Sequence, residues 1–464
     1  MVFSSIEFLL CFLPVFLLLY GITPNRLKNV TLLSGSLVFY ALGDPVDLLI
    51  LMVSVLVNYY LGLNMVRRVR QKGKGRNQKG RKIEKKNKWL LILAVAGNLG
   101  VLAFFKYCGG NRELPLGISF YTFQVLSYLI DVYRGGQREE TSFVKFATYI
   151  TMFPQLVSGP IVMYGEVRRE LQSREFGLGS IQDGLKAFTL GLVSKVLLAD
   201  RLGFLWQEVQ VTGFESISTP LAWLAAVAYS LKIYFDFYGY SLMAVGLGQM
   251  LGFELPENFR LPYMAGSVRE FYRRWHITLG RWFCQYVYIP LGGSRHGELR
   301  TVCSLLAVWI LTAVWHGSTA NFLIWGLLLC LLIVVERQFE RWGIAKHFKQ
   351  GALKAVPHLY LWAVIPITWM CFAITDLSQL GIYLGRMFGL VEGIRVSTAD
   401  WRKALGTYWY LFAVGFFACT PWMKRLYQRF KDSLVGMLIL AALFWVCVWR
   451  LYVEGQNPFM YSSF

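Results

Sequence analysis

Residues 302–335 read VCSLLAVWILTAVWHGSTANFLIWGLLLCLLIVV. Two apolar runs, 302–315 and 319–335, flank one ionisable side chain, His316, and neither run holds a Lys, Arg, Asp or Glu. A helix needs about 20 mostly apolar residues to cross about 30 Å of hydrocarbon, so these runs read as membrane-embedded. An imidazole is costly there unless it faces a cavity or a partner, which makes His316 a candidate functional residue. Gly317-Ser318-Thr319-Ala320-Asn321 adds polar backbone and side chains that cannot face lipid and are expected to line a cavity.

The pattern repeats outward from this stretch. The chain is 56% hydrophobic and only 16% charged, and further long apolar runs lie at 6–22, 46–66, 89–105, 220–235, 359–374, 407–419 and 434–453. Shorter runs broken by Gly or Pro lie at 30–42, 114–133, 143–163, 185–205 and, in the stretch above, 302–315; these either span or re-enter, buried in protein. The fold class is therefore all-α, a polytopic integral membrane protein. No Lys or Arg precedes the first run and no small-residue cleavage site closes it, so it reads as a retained helix and not as a signal peptide. No linker, repeat or low-complexity block divides residues 1–464, which read as one membrane domain.

The net charge of +20 has a local origin. Residues 67–88 carry twelve Lys or Arg against Glu84, supplying +11 of it. Between two spans the positive-inside rule accounts for such a loop without a nucleic-acid ligand, and attraction to anionic lipid is a further use. With that loop in the cytoplasm, the acidic turn Gly43-Asp44-Pro45 is external, Arg26 and Lys28 are internal, and the N-terminus lies outside. Basic stretches at 337–354 and 424–431 read as cytoplasmic, and the tail beyond Glu454, without Lys or Arg, as external. The eight cysteines include no C-x-x-C pair and support neither zinc nor a disulfide framework. They read as small apolar packing residues, with Cys284, in a polar segment, the exception. No metal site is expected.

The densest chemistry is NFRLPYMAGSVREFYRRWHITLGRWFCQYVYIPLGG, residues 258–293. Arg269, Arg273, Arg274 and Arg281 alternate with Phe271, Trp275, Ile277, Leu279 and Trp282, as in an amphipathic helix at a membrane surface. A second histidine, His276, stands among the arginines. Clustered cations at a cytoplasmic mouth suit a phosphorylated donor such as coenzyme A or an acyl-carrier prosthetic group.

SVREFYRRWHITLGRWFCQYVYIPLGG followed by AVWHGSTANFLIWG resembles the signature region of the membrane-bound O-acyltransferase (MBOAT) superfamily, in its bacterial alginate O-acetyltransferase-like branch. MVFSSIEFLLCFLPVFLLLY, LPLGISFYTFQVLSYLIDVYRG, FPQLVSGPIVMY, YFDFYGYSLMAVGLGQMLGFELPENF and the closing Asn457-Pro458-Phe459 extend the resemblance along the chain. Leu242 departs from it, since that branch has an acidic residue after Tyr-Ser. The resemblance implies about ten to twelve membrane helices, with re-entrant and amphipathic segments around a central tunnel. It also implies catalysis by His316 and a second functional position at His276.

Chemistry supports the first role independently. Acyl transfer from a thioester to a hydroxyl needs the hydroxyl proton removed, and a neutral imidazole suits that as general base. From Arg300 to His316, sixteen helical residues rise about 24 Å, less than the core thickness, so donor entering from the cytoplasm and acceptor from outside meet near His316. For His276 two readings stay open, a directly catalytic one and one in which it orients a loop or bonds a carbonyl. Asn321 is a candidate to orient the imidazole or polarise the thioester, and Trp315, Arg273 and Arg274 are candidate substrate-binding residues. Gln155, Ser158, Tyr164, Asp236 and Tyr240 are polar groups in apolar runs that either line the same cavity or bond neighbouring helices. His296, His347 and His358 read as solvated or interfacial.

Three functions follow. The first is an O-acyltransferase moving an acyl group, acetyl above all, from a cytoplasmic thioester such as acetyl-CoA to an extracytoplasmic polysaccharide, directly or through an SGNH-type partner. No cofactor is held permanently, the thioester being a substrate. This chain has no Gly-x-Ser-x-Gly element, which leaves room for that partner. The second is D-alanyl transfer from a carrier protein to teichoic acid, against which the Tyr288-Ile289-Pro290-Leu291-Gly292-Gly293 string counts. The third is a transporter, for which an inverted repeat and paired intramembrane acids are wanting. The setting expected throughout is a bacterial cytoplasmic membrane.

Overall fold

The computed structural model describes residues 2–72, 79–108, 114–136, 139–156, 159–349, 351–394 and 396–455. Every element among the described residues is helical, and none is a strand. Ser158, the tip of the basic loop at 73–78 and the tail from 456 lie outside the described residues.

Six described helices are long and apolar enough to cross a membrane: Pro45–Met65, Lys88–Cys108, Glu298–His316, Ala320–Arg341, Leu353–Ala373 and Leu434–Glu454. Their outward faces carry bare apolar side chains, such as Leu49, Leu93, Leu331 and Leu438, each more than half exposed. Patches of that extent are not sustained in water and mark a surface solvated by lipid. The chain is thus a multi-pass membrane protein. The run expected at 302–315 is part of a full 19-residue helix that begins at Glu298. Its starting carboxylate is neutralised from the next helix, by Arg337 at 3.2 Å and by Arg341.

The chain forms two compact units. One comprises Met1–Phe188, Tyr240–Pro256 and Leu451–Phe464. Its core is aromatic, with Phe3, Phe8, Phe12, Phe16 and Phe39 gathered around Phe153. The run 143–163 breaks after Thr151 into a second short helix, Phe153–Leu156, and Pro154, which lacks an N–H and would clash with the preceding turn, keeps the first helix from running on. Helices Leu178–Val193 and Thr219–Met250 approach closely in this unit at Gly184 and Gly246, where a Cβ on either would fall 2.5 Å from the other's carbonyl oxygen. Lipid offers no hydrophobic drive for helix association, so backbone approach at small residues supplies packing contact instead.

The other unit comprises Thr189–Gly239 and Glu257–Arg450. Here the hairpin of Glu298–His316 with Ala320–Arg341 closes on Gly326, whose missing side chain leaves room for the Trp309 carbonyl at 2.9 Å. Lys195 lies buried between Asp200 at 2.6 Å and Asp236 at 3.0 Å. With Asp236 paired, the apolar run 220–235 does not end there, and its helix continues to Met250.

Candidate functional site

The site residues of the second unit converge on two helix ends. Helix Val268–Arg274 starts under double restraint. Ser267 Oγ accepts the Glu270 N–H at 3.1 Å, and the Glu336 carboxylate accepts the N–H groups of Val268 at 2.6 Å and Arg269 at 3.0 Å. A hydroxyl cap and an anion are the two groups a helix start prefers. The helix stops at Trp275, and His276 adopts φ 45°, ψ 53° before the next helix, Ile277–Phe283. Leu261 and His276 are the two non-glycine residues of positive φ among the described ones. Such a conformation costs about 1–3 kcal/mol and persists where the surroundings over-determine it.

Asn258 supplies the restraint. Its carbonyl oxygen accepts the Ile277 N–H at 2.9 Å, and the neighbouring Arg260 N–H donates to the Arg274 carbonyl at 2.9 Å, so residues 258–260 run alongside the bend. The Asn258 side-chain oxygen Oδ1 lies 3.1 Å from His276 Nδ1 and accepts from Thr278 N at 3.3 Å and Thr278 Oγ1 at 3.0 Å. Phe237 meets the imidazole edge-on at 4.7 Å and Trp315 lies against it at 6.4 Å. The ring is 4% exposed, and its Nε2 has no hydrogen-bond partner among the described residues. His276 sits in the bend, outside the six apolar spans, and burial holds its pKa down at about 3, so it is neutral.

His316 is the last residue of Glu298–His316 and is 5% exposed. Aromatic rings enclose it: Trp315 at 4.6 Å, Trp325 and Phe372 both edge-on at 5.1 Å, and Phe322 near-parallel at 6.3 Å. The Trp315 indole touches both imidazoles, so the two histidines lie no further apart than those two ring distances together. Sequence reasoning paired them through motif alone; the shared indole is the physical link. Phe322, Trp325 and Phe372 were not foreseen, because a run of apolar residues gives no sign of which ones turn toward a buried polar group.

Asn321 is wholly buried. Its Nδ2 donates to the Cys371 carbonyl at 3.1 Å and the Phe372 carbonyl at 3.0 Å, while its Oδ1 accepts from Thr319 Oγ1 at 2.5 Å. It thus satisfies carbonyls at the end of helix Val356–Ala373 and fixes Phe372, through which it bears on His316. Arg274 pairs with Glu270 at 2.5 Å and donates to the Leu261 carbonyl at 3.4 Å, while Arg273 is exposed. Asp236, one residue before Phe237, points its charge to Lys195.

The remaining expected residues belong to the first unit. Gln155 is buried and donates to the Tyr149 carbonyl. Tyr240 stacks on Phe3 at 4.9 Å. Tyr164 donates to buried Glu140 at 2.5 Å.

Two buried, aromatic-lined imidazoles, His276 in a bend between short helices and His316 at the end of an apolar span, thus lie in one unit of a polytopic membrane protein. MBOAT, the membrane-bound O-acyltransferase family, matches residues 37–375, and the chain belongs to that family. The probable alginate O-acetylase AlgI of Pseudomonas syringae pv. tomato is 34% identical over 423 residues, covering 87% of this chain and 76% of that protein. The peptidoglycan O-acetyltransferase of Helicobacter pylori is 32% identical over 442 residues, covering 84% of this chain and 80% of its own. The teichoic acid D-alanyltransferase of Bacillus subtilis is 26% identical over 240 residues, covering 49% of this chain and 60% of its own. The protein is accordingly a membrane O-acyltransferase, of the alginate O-acetylase-like branch.

Proposed function

We propose that the protein moves an acetyl group from a cytoplasmic thioester, acetyl-CoA or an acyl carrier, to a hydroxyl of an extracytoplasmic polysaccharide or of an SGNH-type intermediary protein, with His316 as general base. The observation that carries this reading is the burial of His316 at a helix end, in an aromatic enclosure shared through Trp315 with His276. A neutral imidazole there takes the hydroxyl proton as the oxygen attacks the thioester carbonyl. The tetrahedral adduct then expels the thiolate, which recovers the proton, and histidine returns to its neutral state. Exclusion of water by Trp325, Phe322 and Phe372 disfavours hydrolysis of the donor. In the same topology the basic loop at 67–88 is cytoplasmic and both termini lie outside.

The alginate and peptidoglycan O-acetyltransferases match over most of this chain, whereas the D-alanyltransferase matches about half of it; this supports acetyl over D-alanyl transfer. Purified protein in detergent, supplied with labelled acetyl-CoA and a polysaccharide acceptor, is expected to release coenzyme A, and His316→Ala to abolish that release. Equal release by wild type and His316→Ala removes His316 from the chemistry. Transfer from a D-alanyl carrier but not from acetyl-CoA decides for the second donor class.

A further inference from the structure

The hydrogen bonds around Asn258 determine which nitrogen of His276 carries the proton. An amide side chain can be turned end for end, but here its orientation is fixed from outside. The Thr278 backbone N–H, which can only donate, points at Oδ1 from 3.3 Å. The atom facing Thr278 is therefore the amide oxygen. That same oxygen lies 3.1 Å from His276 Nδ1, and an oxygen of this kind offers no proton. Nδ1 must then be the donor. In a neutral imidazole one nitrogen donates and the other accepts, so Nε2 holds a lone pair. Nε2 is buried and no group among the described residues donates to it.

We infer that Asn258 is a positioning residue that holds His276 in its Nδ1–H form, so that toward the reacting groups His276 acts through Nε2 only as a hydrogen-bond acceptor. This rests on the reading that His276 serves acyl transfer. A hydroxyl, which brings a proton to share, satisfies Nε2; an acyl carbonyl or its oxyanion does not. His276 therefore orients the attacking alcohol and leaves stabilisation of the oxyanion to other donors.

The backbone explains how the arrangement is kept. The left-handed conformation of His276, the Ile277 N–H on the Asn258 carbonyl and the Thr278 hydroxyl on Oδ1 all bind the imidazole and the amide into one bend. Phe237 from helix Thr219–Met250, Trp315 from Glu298–His316 and Asn258 from the segment beside the bend meet the ring, and none of the three is charged. Burial alone accounts for the low basicity of the ring.

The test is nitrogen NMR on the full chain in detergent with ¹⁵N-labelled histidine, the His276 signals being those that vanish in His276→Asn. Wild type at pH 7 is expected to show a protonated Nδ1 and an unprotonated Nε2 for His276, unchanged at pH 5. Asn258→Asp keeps the acceptor but adds a negative charge beside Nδ1, and the His276 titration midpoint is expected to rise by about 1–3 pH units. A protonated Nε2 or a charged ring in wild type at pH 7 overturns the inference, as does an unmoved midpoint in Asn258→Asp. If Asn258→Asp does not fold, the wild-type spectrum alone decides. None of these readings needs turnover, so they are separate from the role of His276 in transfer, which full acetyl transfer by His276→Ala would overturn.

Discussion

Gly317→Ala is the smallest change that should disturb the His316 enclosure. Gly317 is in extended backbone, φ 176° and ψ 176°, which any residue adopts, so an added methyl acts by volume alone. That Cβ would lie 2.5 Å from Cδ2 of Phe322, closer still to Cε2, and 3.2 Å from Cζ. Carbon atoms in good contact stand about 3.5–4.0 Å apart, so the Phe322 ring must retreat by roughly 1 Å. It cannot do so independently, because it packs edge-on against Phe372 at 5.1 Å and lies near-parallel to His316. Overpacking of this kind costs about 1–3 kcal/mol of stability. A misplacement of about 1 Å at a reacting group costs on the order of 100-fold in rate. Gly317→Ala should accordingly lower kcat for acetyl transfer about 100-fold with little change in KM for the thioester, measured in detergent with labelled donor. Phe322→Ala should remove the clash, so the double variant is expected to be faster than Gly317→Ala alone, a coupling read by a double-mutant cycle. Wild-type turnover in Gly317→Ala, or additive effects in the cycle, would refute the reasoning.

Other consequences are as definite. Asn321→Ala leaves the carbonyls of Cys371 and Phe372 without their donor and should cost about 1–3 kcal/mol, read as a lower melting temperature together with a lower kcat. Lys195→Met leaves the buried carboxylates of Asp200 and Asp236 without the ammonium between them and should cost about 3–5 kcal/mol; an unchanged melting temperature would show the network to be idle. Because burial lowers the His276 pKa from 6.5 to about 3, the unfolded chain binds a proton there that the folded one refuses. Stability from this group is complete above pH 6.5 and falls as pH drops toward 3, by about 2 kcal/mol at pH 5. His276→Asn should flatten that dependence, seen as a smaller loss of melting temperature between pH 7 and pH 5.

The spans were legible in the sequence because lipid demands long apolar runs, and runs such as 319–335 and 434–453 recur nearly unchanged as helices Ala320–Arg341 and Leu434–Glu454. What could not be read was where charge would be tolerated. The run 302–315 looked short because Glu298 and Arg300 precede it, yet Glu298 is neutralised by Arg337 and Arg341 and the helix starts there. Asp236 looked like the end of a run, and Lys195 neutralises it. Both pairings join residues more than 35 positions apart, a distance at which no periodicity carries information. The same limit hid Asn258: its tie to His276 spans 18 residues and a left-handed bend that nothing but the folded backbone reveals.

The two histidines therefore differ through their positions on helices more than through their chemical nature. His316 closes a 19-residue helix, so the carbonyl end of that helix, with its partial negative charge, adjoins the imidazole. On the proposed base role, the positive charge that develops there as the hydroxyl proton arrives is favoured by about 0.3–1 kcal/mol. That interaction is made chiefly in the transition state, where it accelerates reaction. His276 precedes a helix instead of ending one, and in the tautomer inferred above its Nδ1 proton is committed to Asn258. Charge on His276 is opposed by burial. On the proposed roles, one imidazole becomes a cation during the reaction and the other stays neutral throughout it. Exchanging their roles by substitution at either position alone should fail, because the asymmetry resides in the helix end and the amide, which a histidine moved elsewhere would not carry with it.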